Sequence, residues 1–291
     1  AIELQLAQYD QEERDAREKG EFIVMRDRLF PMFNPDVHIL PNDLTPYDIK
    51  HKNIWLYVGC DPHRRKPPAW GIYGYDPDGI FYILDEFPNV NKGYYYTPPG
   101  VKPLYYDQIK SVDLDYKQLT REFHDIEEYW GEDVKKRYMD PRYAHQRNEN
   151  TNELVIDGYR KAASKQGFSM RFVPAMVGGD VKVGEITSGV ILLRNALLYN
   201  PDIEIGASNM PGLFVNPSCS NHIRMFMYCK YVRISGKASE GRAPSETIEE
   251  KFKDFMDITR YVYKSIPKHR RIVAPEADAY NYNPLHVRTG Y

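Results

Sequence analysis

Residues 54–60 read IWLYVGC, and Asp61-Pro62 ends the run. An uninterrupted apolar stretch of this length, rich in aromatic and β-branched side chains, predicts a strand buried on both faces in the middle of a sheet. Two more strands follow, at 69–75 and 80–87. Asp76-Pro77-Asp78-Gly79 lies between them and is a strong turn signal, so the pair is an antiparallel hairpin. Beyond it, Pro88, Gly93, Pro98, Pro99, Gly100 and Pro103 make 88–113 a long tyrosine-rich loop. Leu119, Phe123, Ile126 and Trp130 then recur at helical spacing within 114–130. A short strand at 134–139 runs into Asp140-Pro141 and should lie parallel to the central strand, on the side away from the hairpin.

Further out the pattern alternates. A helix is expected over 152–166, stopped by Gly167, then a strand over 169–174 and a helix over 183–198 after Gly178-Gly179. Residues 203–205 and 213–215 read as a small extra hairpin, and 219–231 as a helix. A polar loop at 235–245 precedes a last helix, capped by Ser245 or Thr247 and ending near Ser265, before Pro267. Hairpin-linked strands, then strand–helix alternation, then helices predict an α/β fold. Its mixed sheet has about five main strands flanked by helices.

At the ends, residues 1–20 are charged and helix-like and begin without Met, as if continuing something earlier. Pro31, Pro35, Pro41 and Pro46 make 21–53 an extended segment wrapping the following domain. The division is an arm over 1–50, a main domain over 51–266 and a loosely held tail over 267–291, rich in Tyr, Asn and Pro.

Composition narrows the class. With 291 residues, 42% hydrophobic and 27% charged, the chain has the make-up of a globular protein and not of a disordered one. No apolar run approaches the ~20 residues of a membrane span, and no charged-then-apolar start marks a secretory signal. Cys60, Cys219 and Cys229 are an odd count without a CxxC pair, against a disulfide framework or a structural zinc, and a reducing cytosol is the expectation. Lys and Arg total 39 against 41 Asp and Glu, a net charge of −2, so any nucleic-acid surface must be a local patch.

Two of the expected strands end on acids: 54–60 delivers Asp61 and 134–139 delivers Asp140. Carboxyl ends of strands in an α/β sheet are where ligands collect. The last helix adds Asp254 and Asp257, three apart and so on one face, within KFKDFMDITRYVY. Each has an ordinary alternative: an Asp before Pro starts a turn, and a helical Asp pairs with a base such as Arg260. Taken jointly, converging carboxylates repel one another and call for divalent cations. Hard oxygen ligands suit Mg²⁺ or Mn²⁺, and two such ions roughly 4 Å apart activate water and stabilise the leaving oxygen in phosphodiester cleavage.

VGCDP (58–62), ILDEF (83–87), RYMDPRYAHQ (137–146), LFVNPSCSNHIRMFMYCKY (213–231) and DFMDITRYVY (254–263), in this order and spacing, resemble the nuclease domain of viral large terminase subunits. The resemblance spans about residues 20–266 and implies a ribonuclease-H-like fold that cuts double-stranded DNA during packaging. By position it makes Asp61, Asp140 and Asp257 the catalytic metal ligands. Asp254 stands where many relatives have His and is a further candidate ligand. Glu86 is nearby, with a structural role favoured. The resemblance also implies portal and small-terminase partners, a separate ATPase motor domain, and the cytoplasm of an infected host cell. No GxxxxGK[ST] phosphate loop occurs in these residues.

DNA binding requires cations near the carboxylates. His63, Arg64, Arg65 and Lys66 follow Asp61, Arg142 and Arg147 follow Asp140, and Lys182 precedes a helix. A second basic group, Lys268 to Arg271, follows the last helix. No base-reading motif is visible, so cutting should depend little on sequence. Three rivals remain at this stage. They are a junction-resolving or recombination nuclease of the same fold, a glycoside hydrolase with paired carboxylates, and a non-enzymatic module docking on a capsid portal.

Overall fold

The computed structural model describes residues 28–63, 66–93, 105–109, 115–131, 133–148, 152–176, 185–206, 208–231 and 248–266. The expected helix at 1–20, Arg64, Arg65, Lys182, the 235–245 loop, the Ser245 and Thr247 caps, the 268–271 basic group and the tail from 267 all lie outside these residues.

Among the described residues, six strands form one mixed sheet. In chain order they are β1 (Trp55–Asp61), β2 (Ala69–Tyr75), β3 (Phe81–Phe87), β4 (Val134–Met139), β5 (Phe172–Pro174) and β6 (Leu213–Val215), and their order across the sheet is β5-β4-β1-β2-β3-β6. β1 pairs antiparallel with β2 and parallel with β4, and β2 pairs antiparallel with β3. This meander of three strands, with parallel strands added beside the first, is the ribonuclease-H-like arrangement. The IWLYVGC run therefore occupies the interior position that its composition demands.

The expected small hairpin is absent. Leu213–Val215 instead joins the main sheet as a sixth strand, parallel to β3. Residues 203–205 follow a turn at 201–202 and are irregular, held by the buried Asn209 side chain, which donates to the carbonyls of Asn200 and Ile203 at 2.9 and 2.8 Å. Ile203 and Ile205 alternate like a strand but remain exposed.

Helices cover both faces. They are α1 (Pro35–His38), α2 (Pro46–His51), α3 (Tyr116–Trp130), α4 (Pro141–Ala144), α5 (Val155–Lys165), α6 (Glu185–Ala196), α7 (Ser220–Tyr228) and α8 (Lys253–Ser265). The capping signals are local: Asp115 accepts from Gln118 N–H at the start of α3, and Gly131 closes it in the left-handed region (φ 66°). The last helix begins later than its sequence pattern suggests. Phe252 sits at φ 66° immediately before α8, and Ile248 bridges Tyr231. None of the described helices is long and apolar enough to cross a membrane.

Strand alternation sorts the core. Leu56, Val58 and Cys60 point toward α3 and α5 with Trp70, Phe123, Trp130 and Tyr159. Tyr57 and Tyr73 point the other way, with residues from α6, α7 and α8. Leu29, Phe30 and Phe33 also belong to this second cluster, so the segment before α1 packs on the sheet.

His38 fastens that segment. It is fully buried, its Nδ1 accepts from Asn34 N–H at 3.0 Å, and its Nε2 then donates to Leu197 O at 2.9 Å. Burial pushes its pKa below the ordinary histidine value. A lowered folded pKa means that the unfolded chain binds the proton better. The contribution of His38 is thus whole above about pH 6.5 and is lost as pH falls toward the folded value. Melting curves of wild type and His38→Gln between pH 7.5 and 5.5 test this: wild type should lose the larger share of its stability over that window. Parallel declines would remove His38 as the cause.

Candidate active site

The same alternation aims the acids. Asp61 follows Tyr57 and Gly59 on the face that packs against α8, and a Cβ on Gly59 would come 3.2 Å from Ile258 O and closer still to Val262. On β4, Tyr138 lies in the α8-side cluster and Met139 in the other, so Asp140 continues the α8 face. Its own N–H donates to Cys60 O at 3.0 Å, which ties it to the end of β1. α8 in turn supplies Asp254 and Asp257. The elements thus bring all four predicted carboxylates to one region, at the carboxyl ends of two parallel strands.

Each carboxylate is held differently. Asp140 is fully buried and starts α4, accepting from the N–H groups of Arg142 (2.7 Å) and Tyr143 (3.4 Å). It also accepts from Tyr261 Oη at 2.8 Å and from the Arg142 guanidinium at 3.4 Å. Asp257 is 3% exposed and accepts from Arg260 Nε at 2.7 Å. Asp254, at the edge, faces Lys66 Nζ at 3.5 Å. Asp61 differs: it is 7% exposed, and its enclosed Oδ1 has no hydrogen-bond partner among the described residues.

Burial, then the charges of Asp140, Asp254 and Asp257, push the Asp61 carboxyl well above the ordinary carboxylate range, against a smaller pull from Arg142. Burial also raises Asp257, opposed by Arg260. Tyr261 is raised by burial and by the Asp257 charge, so it stays a protonated donor to Asp140.

Among the described residues, no three His, Cys, Asp or Glu side chains stand close enough together to hold a metal ion as they are placed. The reason is visible in the pairings. Asp140, Asp254 and Asp257 are each turned to a cation of the chain's own, namely Arg142, Lys66 and Arg260. The donor chemistry nonetheless suits a hard divalent cation: four carboxylates, and one buried oxygen left without a donor.

Of the expected DNA contacts, Arg142 is exposed beside Asp140, Lys66 stands between Asp254 and solvent, and His63 is half-buried. Arg147 is exposed and donates to Asn152 O, which holds the loop before α5.

Glu86 takes no part in the acid group. It accepts from the N–H groups of Asn221 (2.8 Å) and His222 (3.0 Å) and from the His222 ring (2.8 Å), capping α7, where Cys219 supplies no side-chain cap. A bulge between β2 and β3 makes this possible. Ile72 pairs with Asp85 but Tyr73 pairs with Ile83, so Leu84 is extra. Asp85 then faces Trp130 while Glu86 faces α7. The His222 ring continues to Tyr73 Oη (3.0 Å), which lies 3.3 Å from Thr259 of α8, so a buried polar chain links α7 to the helix bearing the acids. Tyr261, Arg260 and this chain are site components that sequence reading missed. Arg260 was visible only as an ordinary partner for a helical Asp, which it also is.

No family model and no curated protein matches the chain. Several solved structures do. The P22 large terminase nuclease domain is 18% identical, with 84% of this chain and 97% of that one covered and a TM-score of 0.49. The large terminase of a thermophilic bacteriophage is 18% identical at a TM-score of 0.46; 82% of this chain is covered, but only 45% of that protein's length. The large terminase nuclease of another thermophilic phage, G20c, solved with bound cobalt, is 10% identical, with 82% and 97% covered and a TM-score of 0.40.

Proposed function

We propose that the chain is a metal-dependent endonuclease that cleaves double-stranded DNA with little sequence preference, as the nuclease domain of a viral DNA-packaging terminase. The observation that carries this is Asp61. It is a buried carboxylate with an unpartnered oxygen, at the end of the central strand of a ribonuclease-H-like sheet, with three more carboxylates around it. An isolated buried charge of this kind is costly unless something neutralises it.

Asp61, Asp140 and Asp257, with Asp254 in support, would hold Mg²⁺ or Mn²⁺. Divalent ions held there supply an activated water and charge stabilisation for the departing oxygen. The chain's own groups do the rest. Tyr261 and the α4 amides fix Asp140 in orientation. Arg142 and Lys66, now paired with acids, become available to DNA phosphates once those acids have another counter-charge. Portal, small-subunit and motor partners, and the cytoplasm of an infected cell as the working place, follow from the same reading.

Incubation of supercoiled plasmid with the full chain tests it. Nicking and linearisation should appear with Mg²⁺ or Mn²⁺ and stop with EDTA. Hydrolysis of a glycoside that survives chelation, or portal binding with no cleavage in either metal, would replace this reading with one of its rivals.

A further inference from the structure

We propose that Tyr106 belongs to this site, its hydroxyl donating a hydrogen bond to a phosphate oxygen of DNA bound at the carboxylate group. The inference rests on the nuclease reading above and extends it to a residue in the loop after β3.

Tyr106 is 4% exposed, in a single 3₁₀ turn, Tyr106–Gln108. α7 pins that turn on both sides. Tyr106 N–H donates to Asn221 Oδ1 at 3.0 Å, and Asn221 is itself bound to Glu86 and to Pro88 O. The neighbouring Asp107 pairs with Arg224 at 3.3 Å. The ring packs edge-on against Phe255 of α8, centroids 5.0 Å apart, and Lys66 Nζ stands 5.2 Å from its centre.

So much support places the hydroxyl firmly, yet it is enclosed, and among the described residues no acceptor stands at full hydrogen-bond geometry: the Asp254 carboxylate beside it is the one it leans on, and Lys66 holds that carboxylate as well. Burial, then the charge of Asp254 and its weak acceptance from the hydroxyl, then the charge of Asp61, hold the phenol in its protonated form. An enclosed donor whose acceptor is this poorly placed is destabilising to keep. If only the ring mattered, Phe would pack equally well without that cost.

Asp61 Oδ1 is the matching observation: another enclosed polar atom in the same neighbourhood, with no partner among the described residues. Tyr106 lacks a well-placed acceptor, the more so once Asp254 turns to a cation, and Asp61 needs positive charge. A phosphate oxygen next to a divalent cation on Asp61 supplies both, and it sits where Lys66 adds a further cation.

Tyr106→Phe removes the hydroxyl alone and keeps the ring against Phe255. Three measurements on the full chain decide the matter: melting in metal-free buffer, affinity for a short mixed-sequence duplex in Ca²⁺, and single-turnover cleavage of that duplex in Mn²⁺. The melting midpoint should hold or rise. Duplex affinity should weaken roughly three- to tenfold, and cleavage at saturating protein should also fall. Wild-type affinity and rate in the variant would overturn the proposal, and so would a midpoint several degrees lower, which would give the hydroxyl a structural partner. If wild type fails to cut but the variant still binds duplex more weakly, the nuclease reading falls and the Tyr106 contact stands. If wild type neither binds nor cuts, both fall.

Discussion

Asp61→Asn keeps the fold and stops the cutting: cleavage in Mn²⁺ falls by roughly a thousandfold or more, while the metal-free melting temperature rises. The two effects share one cause. Asp61 is enclosed, its Oδ1 lacks a donor, and Asp140, Asp254 and Asp257 repel its charge. Its folded pKa is raised, so the native state binds the proton better than the unfolded chain. The cost of ionising it is absent at low pH and grows as pH climbs from the ordinary carboxylate range toward the folded value. Wild type without metal should therefore lose stability over that climb. Asn removes the charge at nearly constant shape and flattens the loss. Added Mn²⁺ should raise the melting point of wild type and leave that of Asp61→Asn almost unmoved.

Asp140→Asn and Asp257→Asn should also stop cleavage but behave oppositely in stability. Asp140 accepts from two amides, Tyr261 and Arg142, and an amide NH₂ cannot replace all of these acceptors, at a cost of about 1–3 kcal/mol. Asp257→Asn strips the counter-charge from Arg260, whose side chain is only 11% exposed, at roughly 3–5 kcal/mol. A stabilised Asp61 variant beside two destabilised ones is thus the expected pattern. An Asp61→Asn protein that cuts at the wild-type rate would remove Asp61 from the site.

What the sequence could convey divides along a physical line. β1 was legible because a strand buried on both faces shows as a continuous apolar run, and the β2–β3 hairpin because Asp76-Pro77-Asp78-Gly79 is local chemistry. Asp61 stood out because it ends such a run, and Asp140 because it stands between a short strand and Pro141. β6 was misassigned because its partner is β3, some 130 residues earlier in the chain; a three-residue parallel strand carries no local sign of where it pairs. The start of α8 was missed because its boundary is set by Phe252 in a left-handed conformation and by the Ile248 bridge, and no capping residue marks it. Glu86 as the cap of α7 depends on the bulge at Leu84, which alternation alone cannot reveal. Tyr106 was one tyrosine among several in a proline-rich loop. What sets it apart is an enclosed hydroxyl beside the acids that, among the described residues, has no acceptor at full hydrogen-bond geometry, and only the three-dimensional structure shows that.

Gly59→Ala should uncouple the site from the fold. β1 and α8 touch at this glycine: an added Cβ would lie 2.7 Å from Val262 Cγ2 and 3.2 Å from both Ile258 O and Tyr73 Cε2. Neither helix neighbour yields easily. Val262 is β-branched and fully buried, so its rotamer is fixed, and Ile258 O is helix backbone. The helix itself must back away from the strand, at about 1–3 kcal/mol. Asp61 lies two residues along β1 from the added methyl, and Asp257 immediately precedes Ile258. The displacement therefore falls on the separation between the acids, and a shift near 1 Å in a catalytic group costs on the order of a hundredfold in rate. Gly74→Ala is the control. Its Cβ would meet Ile54 Cγ2 at 2.6 Å and Leu84 Cδ1 at 3.0 Å, in the cluster on the opposite face of the sheet, away from α8. Both variants should melt lower than wild type. Below the melting range, where each is folded, Gly74→Ala should still cut near the wild-type rate and gain melting temperature from Mn²⁺, whereas Gly59→Ala should lose most of both. Equal loss in the two variants, or none in either, would mean that close approach of α8 to β1 does not set the spacing of the acids.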